Sequence, residues 1–152
     1  MTPVYFDANA LVKRYVREQG SQTATQIFEA AAAVFTCKVA FVEVVATFRR
    51  KQIEGLVGPS HIEALTNQFQ QDWEAITAVD LSPDLLGIVR RRAFSHSLRA
   101  LDLLHLSAAL LLRDLSDIRV VFVCSDQRLT DAARVERLDV FDPVREDPSR
   151  LE

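Results

Sequence analysis

Val4-Tyr5-Phe6-Asp7-Ala8-Asn9-Ala10-Leu11-Val12 is three apolar, strand-forming residues, one acid, and then the start of a helical pattern. The run Val4 to Phe6 reads as a short buried strand. Ala8 to Glu18 reads as a helix, with Leu11, Tyr15 and Val16 on one side and Lys13, Arg14 and Arg17 elsewhere. Asp7 therefore sits where a strand ends and a helix begins. In open α/β sheets that junction lies beside the ligand site.

The same alternation continues along the chain. Gly20 ends the first helix, and Ser21 is placed to cap a second that runs to about Ala32. Val34 to Cys37 reads as a strand, and Val39 to Ile53 as a helix stopped by Gly55. Pro59-Ser60 opens a helix to about Ile76, and Ala78 to Leu81 is a weaker strand. Ser82-Pro83 is a cap followed by a first-turn proline, and that helix runs towards Ser95. Leu101 to Leu112 is apolar and helical in length; Val120 to Cys124 is the clearest strand; Asp126 to Arg137 is a helix; Val140-Phe141 closes the pattern. Strands alternating with helices predict an α/β fold: a central parallel sheet between two helical layers, α/β/α. One domain over residues 1–142 accounts for the pattern, and residues 143–152 read as a loose polar tail.

Composition limits the function classes. The 152 residues are 49% hydrophobic and 26% charged, an ordinary globular balance. No apolar run reaches membrane-spanning length, and no signal-peptide pattern opens the chain, so a cytoplasmic protein without a membrane partner is expected. Cys37 and Cys124 have no metal-type spacing and read as buried thiols. The formal net charge of −3 argues at first against a nucleic-acid partner. Setting aside four acids discussed next leaves 17 acidic against 18 basic residues, a nearly neutral remainder.

Those four are Asp7, Glu43, Asp102 and Asp126. Asp7 and Asp126 follow strands. Glu43 and Asp102 lie inside apolar runs, where an acid must pair, take up a proton or bind a metal. Gathered at one sheet edge, four carboxylates would raise one another's proton affinity, and a hard divalent cation relieves that conflict. An all-oxygen donor set favours Mg2+ or Mn2+ over zinc, and such a site suits hydrolysis of a phosphodiester by a metal-activated water. Each acid also has a plainer reading. Asp7 and Asp126 are good helix caps, Ser125 is an alternative cap, and Asp102 can balance Arg99.

Four segments resemble the motifs of PIN-domain ribonucleases, the VapC-like toxins in particular. They are Phe6-Asp7-Ala8-Asn9-Ala10-Leu11-Val12, Val42-Glu43-Val44, Leu98 to Ala109 around Asp102, and Ser125-Asp126-Gln127-Arg128-Leu129 with Ala132-Ala133. Their order and spacing agree with that family over nearly the whole chain, with Asn9 standing where many members carry Ser or Thr. The resemblance implies a PIN fold and a metal-dependent endoribonuclease that leaves a 3′-hydroxyl and a 5′-phosphate. Asp7, Glu43, Asp102 and Asp126 would be its catalytic and metal-holding residues. It also implies RNA as substrate, a cognate antitoxin that reaches into the site with a basic side chain, and a homodimer formed through helices near mid-chain. Leu65, Phe69 and Trp73, four residues apart, are the expected interface stripe. Two rivals remain: a catalytically silent PIN module that only binds a partner, and another metal-dependent phosphohydrolase. Aspartyl phosphatases carry a second Asp two residues after the first, where this chain has Asn9.

Other residues read more plainly. His105, three residues past Asp102, is a structural histidine, with a general-base role as the alternative. His61 and His96 look like surface residues. Asp131 reads as a solvated acid, and Phe41, Phe48, Phe69 and Trp73 as core or interface. Lys13, Arg14, Arg17 and Lys38, with the clusters Arg49-Arg50-Lys51 and Arg90-Arg91-Arg92, supply candidate phosphate-binding side chains without separating them.

Overall fold

A computed structural model describes residues 2–152. Five short strands form one sheet: β1 (Val4–Phe6), β2 (Val34–Cys37), β3 (Thr77–Val79), β4 (Val121–Val123) and β5 (Asp139–Phe141). Every pairing is parallel, in the order β3-β2-β1-β4-β5. The chain winds outward from β1 through β2 to β3, then returns to lay β4 and β5 on the other side. That reversal opens a crevice at the carboxyl ends of β1 and β4.

Among the described residues, seven α-helices cover the two faces: α1 (Ala8–Val12), α2 (Ser21–Ala30), α3 (Val39–Ile53), α4 (Pro59–Ala75), α5 (Pro83–Arg92), α6 (Ala100–Leu115) and α7 (Gln127–Val135). Strand alternation separates two cores. Val4, Phe6, Val121 and Val123 face α1 to α4, while Tyr5, Phe35, Phe122 and Val140 face α5 to α7. The α/β/α expectation is met.

Three local readings are corrected. Helix α1 stops at Val12 rather than Glu18. Arg14 and Tyr15 donate to carbonyls only three residues back, and this tightening turns Tyr15 and Val16 into the core. Gly20 caps α2 with φ 87°, in the left-handed region, where a Cβ would stand 3.0 Å from the Pro143 carbonyl oxygen. Ser21 is instead the first residue of α2; its hydroxyl accepts from the Glu18 amide and donates to the Val16 carbonyl.

The stripe on α4 is core rather than surface. Phe69 is fully buried, with its ring centroid 5.4 Å from Tyr15 and from Phe41, 6.0 Å from Phe48 and 5.7 Å from Trp73. Leu65 is buried beside it. The sequence placed this face outside because helical spacing alone does not tell a partner helix within the chain from one in another copy. The tail is tied down as well. Arg150 donates to the Val140 carbonyl and pairs with Asp139 and Glu146, and Leu151 packs against the first core. Among the described residues no helix is long and apolar enough to cross a membrane.

Candidate active site

Asp7 follows β1 directly. Its amide donates to the Val123 carbonyl at 3.2 Å, which locks the strand end to β4. The carboxylate is held at both oxygens: Oδ1 accepts from the Ala10 amide at 2.8 Å, capping α1, and Oδ2 accepts from the Cys124 thiol at 3.2 Å. One carboxylate thus caps α1 and accepts from the residue that follows β4. Asp7 is only 2% exposed. Burial pushes its carboxyl above the ordinary carboxylate range; His105, the Ala10 amide and Cys124 pull the other way, and Asp102 adds to the rise.

Asp102 lies in the first turn of α6, where the helix dipole favours an acid. It is half-buried. Burial, then the nearby charge of Asp126, raises its carboxyl, with a further contribution from Glu43 and relief from His105 and Arg99. Asp126 caps α7, accepting from the Leu129 amide at 2.9 Å, and is exposed. Glu43, in the second turn of α3, does not pair with Arg49 or Arg50. Its Oε1 meets the Nε2 of His105 at 2.7 Å. The structure thus brings acids from four elements to the crevice at the carboxyl ends of β1 and β4. Mutual charge links Asp7 to Asp102, and Asp102 to both Asp126 and Glu43.

The donor set is all carboxylate oxygen, which fits a hard divalent cation in kind. The fit does not extend to a finished shell: among the described residues, no three acidic, histidine or cysteine side chains stand close enough together to make one. Mg2+ usually keeps several waters and is held through one or two carboxylates, so it does not need a closed protein shell.

Beside the acids runs a groove of about 320 Å³, lined by Asn9, Val12, Lys13, Glu18, Thr47, Arg50, Lys51, Ser125 and Asp126. The Ser125 hydroxyl is buried there without a hydrogen-bond partner. The groove also sorts the basic residues. Arg14 is committed to Asp72 and Glu29, and Lys38 pairs with Asp80 beyond β2 and β3. Lys13, Arg50 and Lys51 remain at the groove, Lys13 in a pair with Glu18.

Two residues of this neighbourhood, Tyr5 and Cys124, escaped the sequence reading, and a third, His105, was read there as structural with a general-base alternative. His105 is 1% exposed and meets Glu43, so it is part of the site's surroundings and not simply core. Its signal was the three-residue step from Asp102. Tyr5 lies on the same strand face as Asp7, two residues before it, which alternation alone could have shown. Cys124 reaches Asp7 only through the β1–β4 pairing, which one sequence does not reveal. His96 is corrected too: its side chain is largely buried against Glu136 at 2.7 Å. Asp131 stays outside the site, hydrogen-bonded to Gln127.

The PIN domain family profile matches residues 4–139. The chain belongs to the PIN-domain family. Over 148 residues it is 28% identical to ribonuclease VapC45 and to ribonuclease VapC49, both of Mycobacterium tuberculosis, covering 97% of this chain and 100% of each relative. Among solved structures, a chain of a toxin–antitoxin complex from Klebsiella pneumoniae superposes with a TM-score of 0.66 at 16% identity, over 92% of this chain and 97% of that one. FitAcB from Neisseria gonorrhoeae gives 0.65 at 13% identity, over 94% and 99%. At those identities the structural likeness concerns the fold.

Proposed function

We propose that this protein is an endoribonuclease dependent on Mg2+ or Mn2+, the toxin of a toxin–antitoxin pair. What supports the proposal is that the acids, carried by four separate elements, lie near enough for Asp102 to feel the charges of Asp126 and Glu43, and Asp7 that of Asp102. Full-length similarity to two VapC ribonucleases supports RNA as the substrate.

Asp7, Glu43, Asp102 and Asp126 would hold the ion. When bound, it would supply Lewis acidity: a more acidic water and charge compensation on the phosphate. The chain's residues divide the remaining work. Asp7, gripped at both oxygens, offers fixed negative charge at the base of the crevice. Asp126 is exposed at the rim, where an incoming strand would meet it. Lys13, Arg50 and Lys51 would meet backbone phosphates along the groove, while Asn9 supplies a polar side chain beside the acids. The acidic crevice also suits the basic side chain of an antitoxin, which would compete with the ion. A homodimer belongs to the same proposal. Its interface would lie away from the α4 stripe, with the exposed Val42, Leu86, Phe94 and Leu101 as available apolar surface.

The test is cleavage of single-stranded and structured RNA by purified protein in Mg2+ or Mn2+, with and without chelator, beside Asp7→Asn. Cleavage should need the metal and should be largely lost in the variant while the fold persists. Cutting that survives both chelator and Asp7→Asn would defeat the proposal.

A further inference from the structure

Beneath the acids runs a buried polar chain that joins three of the elements carrying them. The Tyr5 phenol lies 2.8 Å from Nδ1 of His105, and Nε2 of His105 lies 2.7 Å from Oε1 of Glu43. Tyr5 and His105 are 0% and 1% exposed, whereas the Glu43 side chain is 23% exposed. The placement follows from two periodicities. Along β1, Tyr5 lies two residues before Asp7 and shares its face. Along α6, His105 lies three residues after Asp102, one turn further into the core. The imidazole thus spans from β1 to α3 under the crevice. Its ring meets Tyr5 edge-on, with centroids 5.9 Å apart and planes at 74°, and Tyr5 stacks in turn on Phe122 at 5.4 Å.

We propose that His105, with its tautomer set by Tyr5, is a positioning residue that holds the Glu43 carboxylate in place at the site. The role rests on the reading of Glu43 as one of the metal-holding acids. When the imidazole carries a single proton and Glu43 is a carboxylate, which can only accept, the hydrogen-bond chain has one self-consistent direction. The Tyr5 hydroxyl donates to Nδ1, which leaves Nε2–H to donate to the carboxylate. Glu43 Oε1 is then occupied and Oε2 is left for the crevice. A glutamate side chain is otherwise among the more costly to fix, having several free torsions. Here packing fixes the histidine, and the histidine fixes the glutamate. Partners of this kind behind a metal-holding group characteristically change metal affinity about 10- to 100-fold when removed.

The experiment titrates Mn2+ alone into the full chain by calorimetry, for wild type, Tyr5→Phe, His105→Leu and His105→Gln, with thermal melts confirming the fold. Nitrogen-15 NMR of His105 reports which ring nitrogen bears the proton. Expected are an Nε2-protonated ring in wild type and a mixed or reversed tautomer in Tyr5→Phe. Mn2+ affinity should fall about 10-fold or more in His105→Leu, with partial recovery in His105→Gln, whose amide can still donate. Tyr5→Phe removes one oxygen and keeps the ring stack, so it stays informative if His105→Leu does not fold. Unchanged Mn2+ affinity in every folded variant, beside a wild type that binds, overturns the positioning role alone. A wild type that takes up no Mn2+ overturns the metal reading and the positioning role together.

Discussion

Replacing Asp7 by Asn in metal-free protein should leave the fold as stable at pH 8 or make it more so, although the residue is almost fully buried. Asp7 accepts two hydrogen bonds. Asn keeps an oxygen for the Ala10 amide and is as good a helix cap as Asp, so the α1 cap survives. What disappears is a buried negative charge, together with the acceptor of the weak Cys124 thiol hydrogen bond. Because burial raises this carboxyl's proton affinity, the folded chain holds the proton more tightly than the unfolded chain does. The stability this supplies is whole below the unfolded value, near pH 4, and is gone once pH passes the higher folded value. Wild type should therefore lose stability relative to Asp7→Asn as pH rises from about 4 towards neutrality. Asp7→Ala isolates the cap: it should fall below Asp7→Asn by about 1 kcal/mol at every pH, or roughly 2–4 °C in Tm for a domain of this size. Thermal melts with chelator at pH 4 and pH 8 measure all of these. A loss of more than about 1 kcal/mol in Asp7→Asn at pH 8 would mean that the charge itself, through Ala10 and Cys124, stabilises the fold, and the account of a strained acid site would be refuted.

Adding Mg2+ or Mn2+ at a hundredfold excess over its dissociation constant should stabilise the wild type by about 2.7 kcal/mol, and Asp102→Asn and Asp126→Asn by less; equal responses in a thermal-shift series would separate these acids from a common site. Changing Arg50 and Lys51 together to Ala should weaken RNA binding and flatten its salt dependence by about 0.7 in log–log slope for each phosphate no longer neutralised. Turnover at saturation should be kept, and an unaltered slope would take the groove out of the substrate path. Phe69→Ala should cost about 3–5 kcal/mol in urea unfolding, through the cavity left among Tyr15, Phe41, Phe48 and Trp73; a loss under about 1 kcal/mol would mean that the ring belongs to a surface after all.

The layer order was legible because it rests on short-range signals, and signals of the same kind singled out the four acids as candidates. Val4 to Phe6 can only be a buried strand, and Asp7 and Asp126 stand at strand-to-helix junctions where caps and ligands are drawn from the same residue types. Glu43 and Asp102 stood out as acids in apolar surroundings. What failed depends on partners far along the chain. The α4 stripe was visible as apolar, but its use within the molecule depends on Tyr15 turning inward after a helix that ends early. Cys124 meets Asp7 across 117 positions, and His105 meets Glu43 across 62. Neither distance is encoded in a periodicity. The docking of the tail was hidden for the same reason, since the polar character of Arg150 says nothing of the Val140 carbonyl it finds.

The central place of β1 has a consequence in time. Its two neighbours, β2 and β4, come from distant parts of the chain, and 119 positions separate the first acid from the last. At ordinary rates of synthesis that interval lasts about 6–24 seconds. Until β4 is made, β1 has no partner on the side away from β2, Asp7 lacks the Cys124 thiol, and the crevice lacks one wall. No nascent chain ending before Val121 can assemble the four acids. The four acids can therefore come together only once Asp126 has been made, so a partner that covers all of them meets its full surface only after β4 has joined the sheet.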